Sequence, residues 1–151
     1  MRRFLSAVAV LAFAGTLFAQ SPFVGTWKLD LAKTHYSAGE PPKGVTLTIE
    51  EQGDNLHVTA KGSNADGSQL SVSYTVPLRG GDGKVDDGPY DAINSKMISD
   101  RIRDNTYMKN GRQVATRHIV ILKDGKTMRS IVKGVNATGQ SVAGIDVYVK
   151  Q

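Results

Sequence analysis

The chain has 151 residues, a net charge of +5 and no cysteine. Without cysteine there is no disulfide, no thiolate metal site and no lipid-bearing cysteine that could hold the protein at a membrane. Its lysines and arginines are scattered among acidic residues, whereas nucleic-acid binding needs a concentrated basic face, so we expect no nucleic-acid partner.

The first nineteen residues have the pattern of a signal peptide. Met1-Arg2-Arg3 is positively charged, and residues 4–19 form an uncharged run rich in Ala, Val, Leu and Phe. Such a run after a charged start directs export, and it is short for a membrane-spanning helix, which needs about 20 residues. We predict a signal peptide over residues 1–19, a domain over 20–151, and a secreted or periplasmic location. The alternative is an uncleaved membrane anchor.

The rest of the chain alternates apolar and polar residues with a period of two, most clearly over residues 45–50, 56–61 and 70–76. This alternation is typical of strands with one buried and one solvated face. About ten such runs can be delimited, at residues 23–30, 44–52, 55–61, 69–77, 84–86, 93–102, 105–109, 112–122, 126–134 and 142–150.

Turn residues separate these runs. Asn64-Ala65-Asp66-Gly67, Asn110-Gly111 and Asp124-Gly125 supply the positive φ angles that tight antiparallel hairpins need. Consecutive hairpins predict an all-β fold, an antiparallel up-and-down β-barrel of about 8–10 strands, since closure protects the sheet edges. A two-sheet sandwich is the structural alternative. Two segments interrupt the pattern: residues 31–43, with Pro41-Pro42, predict a crossing loop, and residues 79–92 are rich in Gly and Asp.

The segment Phe23-Val24-Gly25-Thr26-Trp27-Lys28-Leu29 resembles the Gly-x-Trp opening of the calycins, the superfamily of lipocalins and fatty-acid-binding proteins. Val147-Tyr148-Val149-Lys150 resembles the final strand of that superfamily, and most of the chain from residue 23 onward is similar to secreted bacterial proteins described only as lipocalin-like. The resemblance implies a barrel in which Gly25 and Trp27 are structural and lie at the closed end.

The chain also departs from the fatty-acid-binding proteins. Residues 31–43 are too few and too proline-rich for the two lid helices of that family, and Asp146 stands where those proteins commonly carry an arginine for the ligand carboxylate. The last strand also lacks the arginine that stacks on the motif tryptophan in lipocalins. A fatty-acid function is therefore not inherited from the resemblance.

Several polar residues are candidates for a site inside the barrel. His118 lies within a predicted strand, and Arg101, Arg103, Arg117 and Arg129 lie on three strands, although an outward ladder of these arginines against Asp100 and Asp104 is the default expectation. Asp82, Asp86, Asp87 and Asp91 fail the EF-hand spacing, so we expect a solvated loop there and no metal site. The predicted ligand-binding residues are Tyr74, Arg117, His118, Arg129, Asp146 and Tyr148.

We expect a monomeric binding protein, with no catalytic residues and no cofactor, whose barrel holds a small apolar molecule as a carrier or scavenger. No Gly-x-Ser-x-Gly elbow or phosphate-binding loop occurs. An isomerase-type enzyme would need His118 or Asp146 buried in a pocket.

The alternative function is an exported protein-binding barrel, an inhibitor or envelope partner, with a filled interior. Interior volume discriminates the two functions, because large inward residues could fill the barrel: Trp27, Leu47, Ile49, Tyr74, Met97 and Tyr148.

Overall fold

The structure is a computed structural model that describes residues 19–151. The predicted signal peptide therefore lies outside the described residues, except for Ala19. Eleven strands follow one another: β1 (Gly25–Leu29), β2 (His35–Ala38), β3 (Gly44–Gln52), β4 (Asn55–Ser63), β5 (Gln69–Pro77), β6 (Gly81–Asp87), β7 (Ala92–Ser99), β8 (Ile102–Lys109), β9 (Arg112–Ile121), β10 (Thr127–Val135) and β11 (Ser141–Lys150). Within residues 19–151 there is no helix, and hence none that could cross a membrane.

The strands form one closed antiparallel barrel. The order is β1-β3-β4-β5-β6-β7-β8-β9-β10-β11, and pairing between β1 and β11 closes it. Strand β2 pairs with the first half of β11, beyond the end of β1, so that β1 and β2 act as one interrupted strand. The prediction of an up-and-down barrel is confirmed, and the sandwich is excluded.

Strand β2 was not predicted, because the segment 31–43 reads as a loop. Between β1 and β2 the chain loops outward, and the Thr34 hydroxyl accepts the Val147 N–H at 3.1 Å while it donates to the Asp30 carbonyl at 2.9 Å. The Asp30 N–H donates to the Val147 carbonyl at 2.8 Å. These bonds take the place of strand pairing with β11 where β1 has ended. The chain then pairs with β11 again as β2.

Strands β3, β4 and β5 pair over nine residues each without a register shift, as the alternation predicts. An unshifted register keeps every second residue on the inner face, because side chains alternate across a strand. Val45, Ile49, Leu56, Val58 and Val76 are buried there.

The Gly- and Asp-rich segment forms strand β6, longer than the three residues predicted. Its acidic groups have local partners: Asn94 donates to Asp82 at 2.8 Å, Lys84 lies 2.9 Å from Asp86, and Ser71 donates to Asp87 at 2.5 Å. Within residues 19–151 no group of three or more His, Asp or Glu side chains could hold a metal ion.

The next hairpin differs from the prediction, because β7 ends at Ser99 and β8 begins at Ile102. A register shift between Met97 and Ser99 accompanies this turn, and the Met97 side chain is 39% exposed. Met97 therefore does not fill the interior, contrary to expectation.

Trp27 lies at one end of the barrel and is fully buried. Its indole N–H donates to the Phe23 carbonyl at 2.9 Å, and the Lys150 ammonium lies 5.2 Å from the ring centroid. Lys150 thus supplies a cation against the tryptophan, although the last strand has no arginine. Gly25 has a φ of 139°, a backbone conformation that residues with a side chain rarely adopt, so this position favours glycine.

Candidate functional site

The barrel encloses a cavity of about 150 Å³. It reaches the end of the barrel opposite Trp27, where it is bordered by Glu40, Pro42, Asn64, Ala65, Asn136 and Ala137. A third of its lining residues lie on the largely apolar inner face of β3, β4 and β5, including Leu47, Val58, Ala60 and Val72. The residues expected to fill the barrel do not fill it, and the interior can accept a small molecule.

A polar centre lies in the opposite wall. Arg117 Nη1 lies 2.7 Å from Asp146 Oδ2 and donates to Ser130 Oγ at 2.9 Å. The other oxygen of Asp146 accepts the Tyr36 hydroxyl at 2.9 Å. Four strands therefore contribute: β9 supplies Arg117, β10 Ser130, β11 Asp146 and β2 Tyr36.

The register explains this convergence. Ser130 pairs directly with Asp146, and Arg117 pairs with Val132, two residues along β10 from Ser130. All three polar side chains therefore occupy the inner face, and the long arginine side chain can reach across β10 to β11. At Gly144, a Cβ would lie 2.3 Å from the Tyr36 ring, so glycine is needed there to let Tyr36 lie over β11.

The charges at the centre cancel, but Arg117 keeps free donors. Burial lowers the pKa of the guanidinium, but the charge and hydrogen bond of Asp146, together with Tyr148 and Tyr107, raise it, so the net pKa lies well above its ordinary value. Nη1 makes both bonds, whereas Nε and Nη2 bond to no other residue of 19–151. The side chain is 28% exposed and lines the cavity. The cavity therefore presents N–H donors from a cation whose charge is already compensated.

Tyrosines surround this centre. All five tyrosines of the chain line the cavity: Tyr36, Tyr74, Tyr90, Tyr107 and Tyr148. The Tyr107 ring meets Tyr74 edge-on, with centroids 6.0 Å apart, and lies 4.7 Å from the tilted ring of Tyr90. Burial raises the pKa of Tyr74 and Tyr90, and burial with the Asp146 charge raises the pKa of Tyr36 and Tyr148. These four phenols stay protonated at neutral pH. Tyr36 already donates its proton to Asp146, whereas the hydroxyls of Tyr90 and Tyr148 can donate to a ligand.

A second arginine, Arg103, lies inside the barrel near Phe23. Its Nη1 donates to the Pro77 carbonyl at 3.2 Å and to Ser95 Oγ at 3.0 Å, and its Nη2 donates to the Leu78 carbonyl. Its Nε is buried without a partner in residues 19–151 and is closed to the cavity. Arg103 therefore ties the turn after β5 to the core, and it also lines the cavity.

Three of the six predicted site residues, Tyr74, Arg117 and Tyr148, line the cavity, and Asp146 lies directly behind Arg117. His118 and Arg129, also predicted to bind the ligand, lie on the outer face and are exposed. The default expectation of outward arginines therefore holds for Arg129 and is wrong for Arg103 and Arg117, which line the cavity. His118 Nδ1 lies 2.5 Å from Asp104 Oδ1. Since Arg117 points inward, the alternation along β9 turns His118 outward.

Five further residues line the cavity and were not predicted from the sequence: Tyr36, Tyr90, Asn105, Tyr107 and Ser130. Tyr36 and Tyr90 lie in segments read as loops. On β8, Arg103, Asn105 and Tyr107 alternate inward, and their spacing of two was a usable signal. A polar inner face, however, is indistinguishable by periodicity from a polar outer face.

Neither a scan of protein-family models nor a search of curated proteins finds a match to this chain. The closed antiparallel barrel without helices in residues 19–151 is consistent with a calycin-like fold. That consistency concerns architecture, and function has to be argued from the site.

Proposed function

We propose that this protein is an exported, calycin-like barrel that binds a small, neutral and largely apolar molecule in its cavity. The observation that carries the proposal is the apolar cavity with the free Nε and Nη2 donors of Arg117 in its wall. A mostly apolar pocket with a few convergent polar groups is the usual form of a small-molecule site.

The volume sets the size of the ligand. A cavity of about 150 Å³ equals the engineered apolar cavity that binds benzene. A ligand with one ring or a short branched chain fits this volume. The protein-binding alternative was expected to have a filled interior, whereas this barrel contains a cavity.

The charges favour a neutral ligand with an oxygen acceptor. The Asp146 carboxylate already compensates Arg117, and a ligand carboxylate beside them would add an unpaired negative charge in a poorly hydrated space. A carbonyl or ether oxygen accepts the Arg117 N–H groups without that cost. Arg103 also lines the cavity and keeps its positive charge, because its partners Pro77, Leu78 and Ser95 are neutral. The preference for a neutral ligand therefore applies to the Arg117 centre.

Isothermal titration calorimetry with two neutral ketones, acetophenone and methyl cyclohexyl ketone, tests the proposal. Ala60→Phe should abolish binding, because Ala60 lines the cavity, whereas Thr59→Val, on the outer face of the same strand, should leave binding unchanged. Absence of binding by both ketones to the native protein, together with no added mass in native mass spectra of protein from its own host, would overturn the proposal.

A further inference from the structure

We propose that the ligand is aromatic: a planar ring carrying a neutral oxygen acceptor, with the ring against the cavity tyrosines and the oxygen on Arg117. This inference rests on the proposed function and names the class of molecule that the same cavity selects.

The distribution of aromatic residues is the first argument. Residues 19–151 contain seven aromatic side chains, and six of them line the cavity, with Trp27 alone outside its lining. An aliphatic ligand needs only apolar volume, which β3, β4 and β5 already supply. Aromatic walls add specific edge and face contacts that only another ring can use in full.

The geometry of the cluster leaves room for such contacts. Tyr74 and Tyr107 stand at 79° to each other, and Tyr90 lies at 40° to Tyr107, so the cluster presents both ring edges and ring faces. Tyr36 and Tyr90 are only half-buried and both line the cavity. A ligand ring can therefore contact tyrosines that still have accessible surface.

The phenol oxygens argue against a role in packing alone. The hydroxyls of Tyr90 and Tyr148 bond to no other residue of 19–151, although both rings line the cavity. Phenylalanine would fill the same space without placing an unpaired donor in the interior. Because these phenols stay protonated, they can donate to an oxygen on the ligand.

Arg117 also favours an aromatic ligand. A guanidinium group stacks on aromatic faces and also donates in its own plane, so an aromatic ring with an attached carbonyl can use both properties. Ser130 and Asp146 hold this guanidinium through Nη1. The anchor is therefore fixed before the ligand arrives.

Calorimetric titration with a matched pair of ligands tests the inference. Acetophenone and methyl cyclohexyl ketone share the acetyl group and the ring size, and differ in aromaticity. We expect acetophenone to bind about 2- to 10-fold more tightly, the gain of one aromatic contact. Benzoate, the anionic analogue, should bind more weakly than acetophenone.

Variants of Tyr90 identify the source of the preference. Tyr90 lies outside the strands, between β6 and β7, and is half-buried, so its replacement spares the barrel ladder. Tyr90→Leu should remove most of the preference for acetophenone, and Tyr90→Phe should retain it. Equal affinities of the native protein for the two ketones would overturn the inference and leave the proposed function standing. Binding of neither ketone would overturn this inference as well and, together with no added mass in native mass spectra of protein from its own host, the proposed function itself.

Discussion

Arg117 Nη1 lies 2.7 Å from Asp146 Oδ2 across the intervening strand β10, and the carboxylate is completely buried. Removing one member of a buried ion pair leaves an uncompensated charge, which costs about 3 to 5 kcal/mol, whereas replacing both by apolar residues is often neutral. We expect Asp146→Asn to cost about 3 kcal/mol, the lower end, because part of Arg117 faces the cavity. Urea unfolding measures this loss.

The double variant Arg117→Met/Asp146→Leu is the control for this pair. Its midpoint of urea unfolding should lie closer to that of the native protein than the midpoint of Asp146→Asn does, because no unpaired charge remains. Additive losses in the single variants Arg117→Met and Asp146→Leu and in the double variant would contradict an energetic coupling between Arg117 and Asp146.

Trp27 should be among the most sensitive positions for stability. Its ring is fully buried and its N–H bonds to Phe23. Trp27→Ala should lower the free energy of unfolding by about 3 to 5 kcal/mol, and Trp27→Phe should lower it by less, since part of the volume stays filled. The midpoint of denaturant unfolding measures both, and an unchanged midpoint for Trp27→Ala would contradict the burial of this ring.

Alkaline pH should destabilise the barrel. The ordinary tyrosine pKa is 10.0, and burial raises the folded-state pKa of Tyr36, Tyr74, Tyr90 and Tyr148 above it. Above pH 10.0 the unfolded chain releases these protons while the folded chain retains them, so stability present below pH 10.0 falls as pH rises.

Near-ultraviolet absorbance of tyrosinate during a pH titration tests this expectation. The tyrosine signal should appear together with the loss of far-ultraviolet strand dichroism. A tyrosinate signal that rises near pH 10.0, with the fold intact, would show that the phenols are accessible to solvent.

Long-chain fatty acids should bind weakly, with dissociation constants above about 10 μM. The cavity of about 150 Å³ is too small to hold the whole acyl chain of such a fatty acid, and the Asp146 carboxylate already accepts a hydrogen bond from Arg117 Nη1. Calorimetry with hexadecanoate provides the measurement. Submicromolar binding that is lost in Arg117→Gln but kept in the outward control Arg129→Gln would contradict this prediction.

Exported protein should begin within two residues of Gln20. The charged start, the apolar run and Pro22 motivate this position. Intact-mass measurement of protein from the periplasmic or extracellular fraction provides the check. A mass that includes Met1 in that fraction would contradict cleavage.

The strands of the first half of the barrel follow from local pattern. The strands 44–52 and 69–77 are recovered with their observed bounds, because one face is apolar and turn residues end each run. Strand β2 is not recoverable in this way. It forms only because β11 extends beyond β1 and offers partners to His35, Tyr36 and Ala38.

By itself the sequence determined the all-β class and the hairpin order, since alternation and turn chemistry are local properties. Only the tertiary structure decided which polar side chains face inward. Arg117 can occupy the inner face because Asp146, 29 residues away, compensates its charge, and Tyr36 completes that pair from a strand that exists only in the closed barrel. Desolvation of a charge is tolerated when its partner is in place, and the partner is fixed by barrel closure, not by spacing along the chain.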